Sequence, residues 1–79
     1  MKILIRNLAR STTEEEIKLL FGAHGTVKTC DLVLDKQTSE SKGFAFVEMP
    51  NIKEAKTAIK TLNGKNVARK IIRVKQTKH

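Results

Sequence analysis

Apolar and polar residues alternate along four stretches of the chain with the period of two that is typical of β-strands. Two other stretches repeat apolar residues three and four positions apart, which predicts amphipathic helices. The predicted strands span residues 2–7, 26–35, 42–49 and 70–76. A helix follows the first strand and another follows the third, so the predicted order is β-α-β-β-α-β.

Both predicted helices carry terminal signals. Thr13 and Glu16 have the spacing of a capping box, and Gly25 is a suitable C-terminal stop. Asn51 can cap the second helix, which Asn63-Gly64 would end. The residues predicted to face the core from the helices are Ile17, Leu20, Phe21, Ile52, Ala55, Ala58, Ile59 and Leu62.

This order of elements predicts an α+β fold of the ferredoxin-like type, in which two helices cover one face of a four-stranded antiparallel sheet. Each helix has a single apolar stripe, so the second sheet face, called the bare face below, is left uncovered. From the second strand, Val27, Cys30 and Leu32 are predicted to point inward. The bare face is predicted to carry Lys2, Leu4, Arg6, Phe44, Phe46, Ile71, Arg73 and Lys75.

Length and charge restrict the function. The 79 residues predict one domain, 1–79, with a formal net charge of +8, and residues 65–79 contain six Lys and Arg but no acid. This excess favours a polyanionic partner, although basic residues also serve solubility. We expect no membrane-spanning segment and no secretory signal, and therefore a cytoplasmic protein.

Two of the three aromatic residues, Phe44 and Phe46, share the bare face with basic side chains. Aromatic rings within a positively charged surface form a stacking platform for nucleic-acid bases, because every base has a π-face. Cys30 is interpreted as a small buried hydrophobe, and one cysteine with two distant histidines predicts no metal site.

Two motifs carry a family resemblance. Residues 42–47, KGFAFV, match all but the final aromatic of the signature K/R-G-F/Y-G/A-F-V-x-F/Y, where Met49 stands instead. Residues 3–8, ILIRNL, resemble the shorter signature, except that Leu4 replaces the usual aromatic. The chain thus resembles the RNA recognition motif family over essentially its whole length, and in size it is similar to the small stand-alone bacterial members.

The resemblance implies a non-catalytic protein that binds single-stranded RNA with modest affinity, as a monomer without cofactor or metal. Its role would be post-transcriptional regulation or RNA chaperoning. In the family, the positions of Phe44 and Phe46 stack on bases or a ribose, that of Lys42 contacts phosphate, and residues at the end of the last strand hold the RNA. The predicted RNA-binding residues are Phe44, Phe46, Leu4, Lys42, Arg6, Lys2, Asn7, Arg73, Lys75 and Gln76.

Other functions remain open at this point. Single-stranded DNA would use the same rings, since only 2′-hydroxyl contacts distinguish it from RNA. The bare face could instead hold a protein partner or be covered in a dimer, with the two phenylalanines as anchors. The same fold plan also occurs in acylphosphatase-like hydrolases, where Arg6 and Asn7 could clamp a phosphate, but no nucleophile-base pair is evident in the sequence.

Overall fold

A four-stranded antiparallel sheet forms one layer of the protein, and two helices form the other. The computed structural model describes residues 1–77, so Lys78 of the basic C-terminal stretch and the predicted domain end at His79 lie outside the described part. The elements are β1 (Lys2–Arg6), α1 (Glu14–Gly22), β2 (Thr29–Leu34), β3 (Ser41–Glu48), α2 (Ile52–Leu62), β4 (Asn66–Val67), β5 (Lys70–Ile71) and β6 (Arg73–Gln76).

The main sheet has the strand order β2-β3-β1-β6, and both helices pack against the same face. The predicted ferredoxin-like α+β fold is therefore confirmed. Val27, Cys30 and Leu32 are half-buried and pack against the core as predicted. The core consists of Ile3, Ile5, Leu8, Ile17, Phe21, Ala45, Val47, Met49, Ala55, Ala58, Leu62, Ile72 and Val74.

Helix α1 begins as its sequence predicts. The Glu16 backbone N–H donates to Thr13 Oγ1 over 3.2 Å, and the Thr13 N–H donates to Glu16 Oε1 over 3.0 Å, which completes the capping box. The helix ends at Gly22, before the predicted stop at Gly25. Gly25 has another role, since a Cβ at this position would collide with the side chain of Glu54.

Helix α2 is capped by Asn51, whose Oδ1 accepts from the Glu54 backbone N–H over 3.1 Å. Ala55, Ala58 and Leu62 are buried as predicted, but Ile52 is 57% exposed, so its predicted place in the core is wrong. Ile52 is the first helical residue, and helical side chains lean toward the N-terminus. Its side chain therefore points past the part of the helix that packs on the sheet.

Both edges of the sheet are held by side chains from the helix ends. Glu14 Oε2 accepts from the Leu32 N–H of β2 over 3.0 Å, and Asn63 Oδ1 accepts from the Val74 N–H of β6 over 2.9 Å. Edge strands expose unpaired backbone groups that promote association with other chains. These two hydrogen bonds satisfy one such group on each edge.

The predicted strand at 70–76 is two separate pieces. Arg73–Gln76 forms β6 of the main sheet, whereas Lys70–Ile71 pairs with Asn66–Val67 in a small hairpin. Ile71 therefore does not belong to the main sheet, and its predicted place on the bare face is wrong. Between the two pieces, the Ile72 N–H donates to Lys65 O over 3.0 Å, so Ile72 bonds to the segment after α2 and pairing with β1 begins only at Arg73.

Ala68 and Arg69 make the hairpin turn with φ angles of 53° and 68°. Two consecutive positive φ angles match a type I′ turn, in which Asn-Gly is the favoured pair. Asn66 Oδ1 supports the turn by accepting from the Arg69 N–H over 3.1 Å.

None of the helices within residues 1–77 has the length and apolar character that a membrane-spanning helix requires.

Candidate nucleic-acid interface

The register of the strands brings the predicted residues together on the bare face. Leu4 of β1 pairs with Phe46 of β3 on one side and with Lys75 of β6 on the other. Arg6 pairs with Arg73 in a neighbouring row, and side-chain alternation places Phe44 on the same face beside Arg6. Rings therefore occupy the centre of the face, and cations lie along its β6 side.

The two rings are partly exposed and differ in orientation. Their centroids lie 6.1 Å apart, and the ring planes are perpendicular. A base that stacks parallel to the Phe44 ring would therefore meet the Phe46 ring plane at a right angle. The pair can contact two different surfaces of a nucleotide, such as a base face and a ribose.

Leu4 lies beside Phe46 at the centre of the bare face and is half-buried. It provides an apolar contact but no π-face, so two rings rather than three are available for stacking.

Cations flank the rings toward β1 and β6, whereas the acid Asp31 of β2 lies opposite Phe46 on the other side. The Lys2 ammonium lies 5.1 Å from the centroid of the Phe46 ring, in reach of a cation–π contact of about 0.5–1 kcal/mol. Glu48, on the same face, is paired with Lys28 over 3.5 Å, and this is the only ion pair within residues 1–77. The predicted cations other than Lys2 are exposed and take part in no ion pair within residues 1–77, so their charge is available to an anion.

Asn7 and Gly43 shape the end of the bare face where β1 ends and β3 begins. Asn7 has a φ of 60°, and its Nδ2 donates to Ile71 O over 2.7 Å, which joins the hairpin to the end of β1. Gly43 has a φ of 86°, and a Cβ there would lie 3.3 Å from Leu8 O. Glycine fits this position because other residues rarely adopt such a backbone conformation. The predicted RNA contact of Asn7 stays a prediction.

The two predicted residues at the end of β6 point in opposite directions. Lys75 pairs with Leu4 and shares the bare face, whereas Gln76 pairs with Ile3, whose side chain lies in the core. The Gln76 side chain therefore projects toward the helix side of the sheet edge. Its contact with RNA stays a prediction, and its side chain is not among those that the fold gathers around the rings.

Cys30 has the character of a structural thiol. Burial, reinforced by the charges of Glu14 and Asp31, raises the pKa of Cys30 to about 11. The thiol is thus protonated at neutral pH, whereas a nucleophilic cysteine requires a lowered pKa. Its Sγ donates to Glu14 O over 3.5 Å, which fits the predicted packing role.

The family model described as RNA recognition motif matches residues 3–73. This range includes both motifs and runs from the second residue of β1 to the first residue of β6. The chain belongs to the RNA recognition motif family. The longer motif lies in β3 and contains Lys42, Phe44 and Phe46. The shorter motif begins in the adjacent β1, where it places Leu4 opposite Phe46.

Solved structures agree with this assignment. The crystal structure of the RNA-binding protein PG1 superposes with a TM-score of 0.94 at 31% identity, covering 98% of this chain and 93% of that one. RNA recognition domains 1 and 2 of Drosophila melanogaster Sex-lethal superpose with a TM-score of 0.93 at 32% sequence identity. The match covers 99% of this chain and 50% of that one. The RNA recognition motif (RRM) of Rna15, solved with bound RNA (GU), superposes with a TM-score of 0.89 at 26% sequence identity. The match covers 99% of this chain and 83% of that one.

The structure also gathers residues that the sequence patterns did not single out. Arg10, in the loop after β1, and Lys70, in the β4-β5 hairpin, line a cleft of about 350 Å³ together with Lys42 and Phe44. This cleft is called the basic cleft below. Arg10 could have been found from sequence, because antiparallel pairing of β1 and β3 brings the loop after β1 to the start of β3. Lys70 could not have been found in this way, because its position depends on the β4-β5 hairpin, which the sequence patterns did not predict.

Proposed function

We propose that this protein binds single-stranded RNA, without catalysis, through the bare face. The observation that carries the proposal is the pair of partly exposed rings, Phe44 and Phe46, among cations on the sheet face opposite the helices. Membership of the RNA recognition motif family supports it, as does the fold similarity to an Rna15 domain solved with bound RNA. The bases would stack on the rings while the phosphates pass the cations.

Two rings set the scale of the affinity. Stacking contributes about 1–3 kcal/mol per base, so Phe44 and Phe46 supply roughly 2–6 kcal/mol. A micromolar complex requires about 8 kcal/mol, and phosphate contacts must supply much of the remainder. With Leu4 at the third stacking position, we expect micromolar affinity and loose sequence preference.

The experiment that tests the proposal is fluorescence anisotropy with a labelled single-stranded RNA, a DNA of the same sequence and an RNA duplex. Micromolar binding of the single-stranded RNA and much weaker binding of the duplex are expected, because stacking requires unpaired bases. Equal binding of single strand and duplex would contradict a stacking site. Preference for the DNA would replace RNA by DNA as the ligand.

The proposal also predicts how strongly the binding of single-stranded RNA depends on salt concentration. If about three to five phosphates are neutralised, log K should fall against log salt with a slope near −2 to −3.5, using about 0.7 per phosphate for single strands. Anisotropy titrations at four salt concentrations measure this slope. A slope near zero would show that the cations of the bare face do not contact phosphates.

The proposed cellular role is RNA chaperoning or post-transcriptional regulation by a cytoplasmic monomer. Loose sequence preference and modest affinity suit the transient capture of strands that open in RNA hairpins. Such capture lowers the melting temperature of a hairpin, because the ligand binds only the open form. Hairpin melting temperatures that do not change at saturating protein would exclude the chaperoning role.

A further inference from the structure

The basic cleft lies at one end of the bare face, where three segments of the chain meet. Its volume is about 350 Å³, and it is lined by Arg6, Asn7, Leu8, Arg10, Lys42, Gly43, Phe44 and Lys70. Four of these residues are cationic and none is acidic. All four cations are exposed, and none is in an ion pair within residues 1–77. The electrostatic character of the cleft is therefore that of an anion site.

Hydrogen bonds hold the three segments in place. The Leu8 N–H donates to Gly43 O over 2.9 Å, which fixes the loop after β1 against the start of β3. Asn7 ties the hairpin to β1 through Ile71 O, and this contact brings Lys70 to the cleft. The cleft is thus formed before any ligand arrives, which reduces the ordering cost of binding.

Arg10 is the most constrained of the four cations. Its Nη1 donates to the backbone O of Ser41, so the guanidinium is held against the first residue of β3. A guanidinium has five N–H donors in a planar fork, and one bond to Ser41 leaves several free. This donor set matches the oxygens of a phosphate group, which arginine can bind in a bidentate manner.

Phe44 connects the cleft to the rings, because it lines the cleft and also forms the edge-to-face pair with Phe46. We propose that the basic cleft binds the backbone phosphate next to the nucleotide that contacts Phe44, with Arg10 and Lys70 as phosphate ligands. This inference rests on the proposed function and extends it. The RNA path would then leave the sheet at the edge where β1 ends and β3 begins. Neither residue belongs to the two signature motifs.

The first test compares two double variants with the same change of charge. Arg10→Gln/Lys70→Gln removes two cations from the cleft, and Lys53→Gln/Lys60→Gln removes two from the exposed surface of α2. We expect the cleft variant to bind single-stranded RNA about tenfold more weakly at low salt, with a salt slope shallower by about 0.7 for one lost phosphate. The loss should be similar for all RNA sequences, because phosphate contacts do not read bases. The α2 variant should stay within about twofold of the wild type.

Arg10 also contacts Ser41, so its replacement could disturb the loop itself. Lys70→Gln alone avoids this, since its side chain is exposed at the hairpin, and a smaller reduction in affinity and slope is expected from it. Thermal unfolding followed by circular dichroism shows whether each variant keeps the wild-type fold. Reduced binding by Lys70→Gln with unchanged unfolding would support the phosphate contact.

The second test neutralises the RNA instead of the protein. A single methylphosphonate is moved along a short RNA, and one position next to the preferred stacking site is expected to weaken wild-type binding. The same substitution should have no effect on Arg10→Gln/Lys70→Gln. If the cleft variant responds to every position as the wild type does, the cleft proposal is wrong while RNA binding by the rings stands. If the wild type binds no single-stranded RNA, the proposed function itself fails.

Discussion

Replacing Phe44 and Phe46 together by alanine is expected to weaken the binding of single-stranded RNA by more than about tenfold. Each ring contributes about 1–3 kcal/mol by stacking, and 1.4 kcal/mol corresponds to a factor of ten in the dissociation constant. Both rings are only partly buried on the face opposite the helices, so their removal should leave the core intact. Anisotropy titration of the variant and the wild type with the same labelled RNA measures the effect.

Phe44→Leu/Phe46→Leu is the matched control for this experiment. It keeps apolar bulk at both positions and removes the π-faces, so it separates stacking from simple hydrophobic contact. Stacking predicts that the leucine variant is nearly as weak as the alanine variant. If the alanine variant binds as tightly as the wild type, and salt alone abolishes binding, the protein has a basic surface without a stacking site.

Replacing Phe21 by alanine is expected to have the largest effect on stability. Phe21 is fully buried and is the largest fully buried side chain of the core. Truncation of a buried phenylalanine costs about 3–5 kcal/mol, because the transfer free energy is lost and a cavity remains. Small domains have roughly 5–15 kcal/mol of stability in total, so this loss is severe. Urea denaturation of the variant and the wild type gives the difference in unfolding free energy.

Leu19→Ala is the control on the same helix. Leu19 is 70% exposed, and its truncation should change the unfolding free energy by less than about 0.5 kcal/mol. A loss of less than about 1 kcal/mol for Phe21→Ala would contradict the packing described above. The three phenylalanines of the chain thus divide into one that stabilises the core and two that are available to a ligand.

Much of the fold follows from local patterns. The period of two in residues 42–49 places Phe44 and Phe46 on one face and Ala45 and Val47 on the other, and this division holds in the structure, where the alanine and valine are fully buried. The capping box at Thr13 and the cap at Asn51 likewise depend only on neighbouring residues. Such short-range features are readable because their partners lie within a few positions along the chain.

The errors arise where distant contacts decide the structure. The apparent strand at 70–76 is divided at Ile72, whose N–H donates to Lys65 O, a partner seven positions away. The hairpin turn before it, at Ala68 and Arg69, has positive φ angles without glycine or asparagine at either position, so the sequence carries no strong signal for the hairpin. The basic cleft depends on the hydrogen bond between Asn7 and Ile71 O, which joins residues 64 positions apart. No periodicity in the sequence encodes that contact, and Lys70 was missed for this reason.

The most direct test of the central claim is a map of backbone amide shifts by NMR while a short single-stranded RNA is titrated into the wild-type protein. If RNA binds to the bare face, the largest changes in amide shift are expected at Leu4, Phe44 and Phe46 and their strand neighbours. The exposed lysines of α2, Lys53 and Lys60, serve as the internal reference and should move little. Shifts concentrated on the helices, with Phe44 and Phe46 unmoved, would show that the rings are not the binding site.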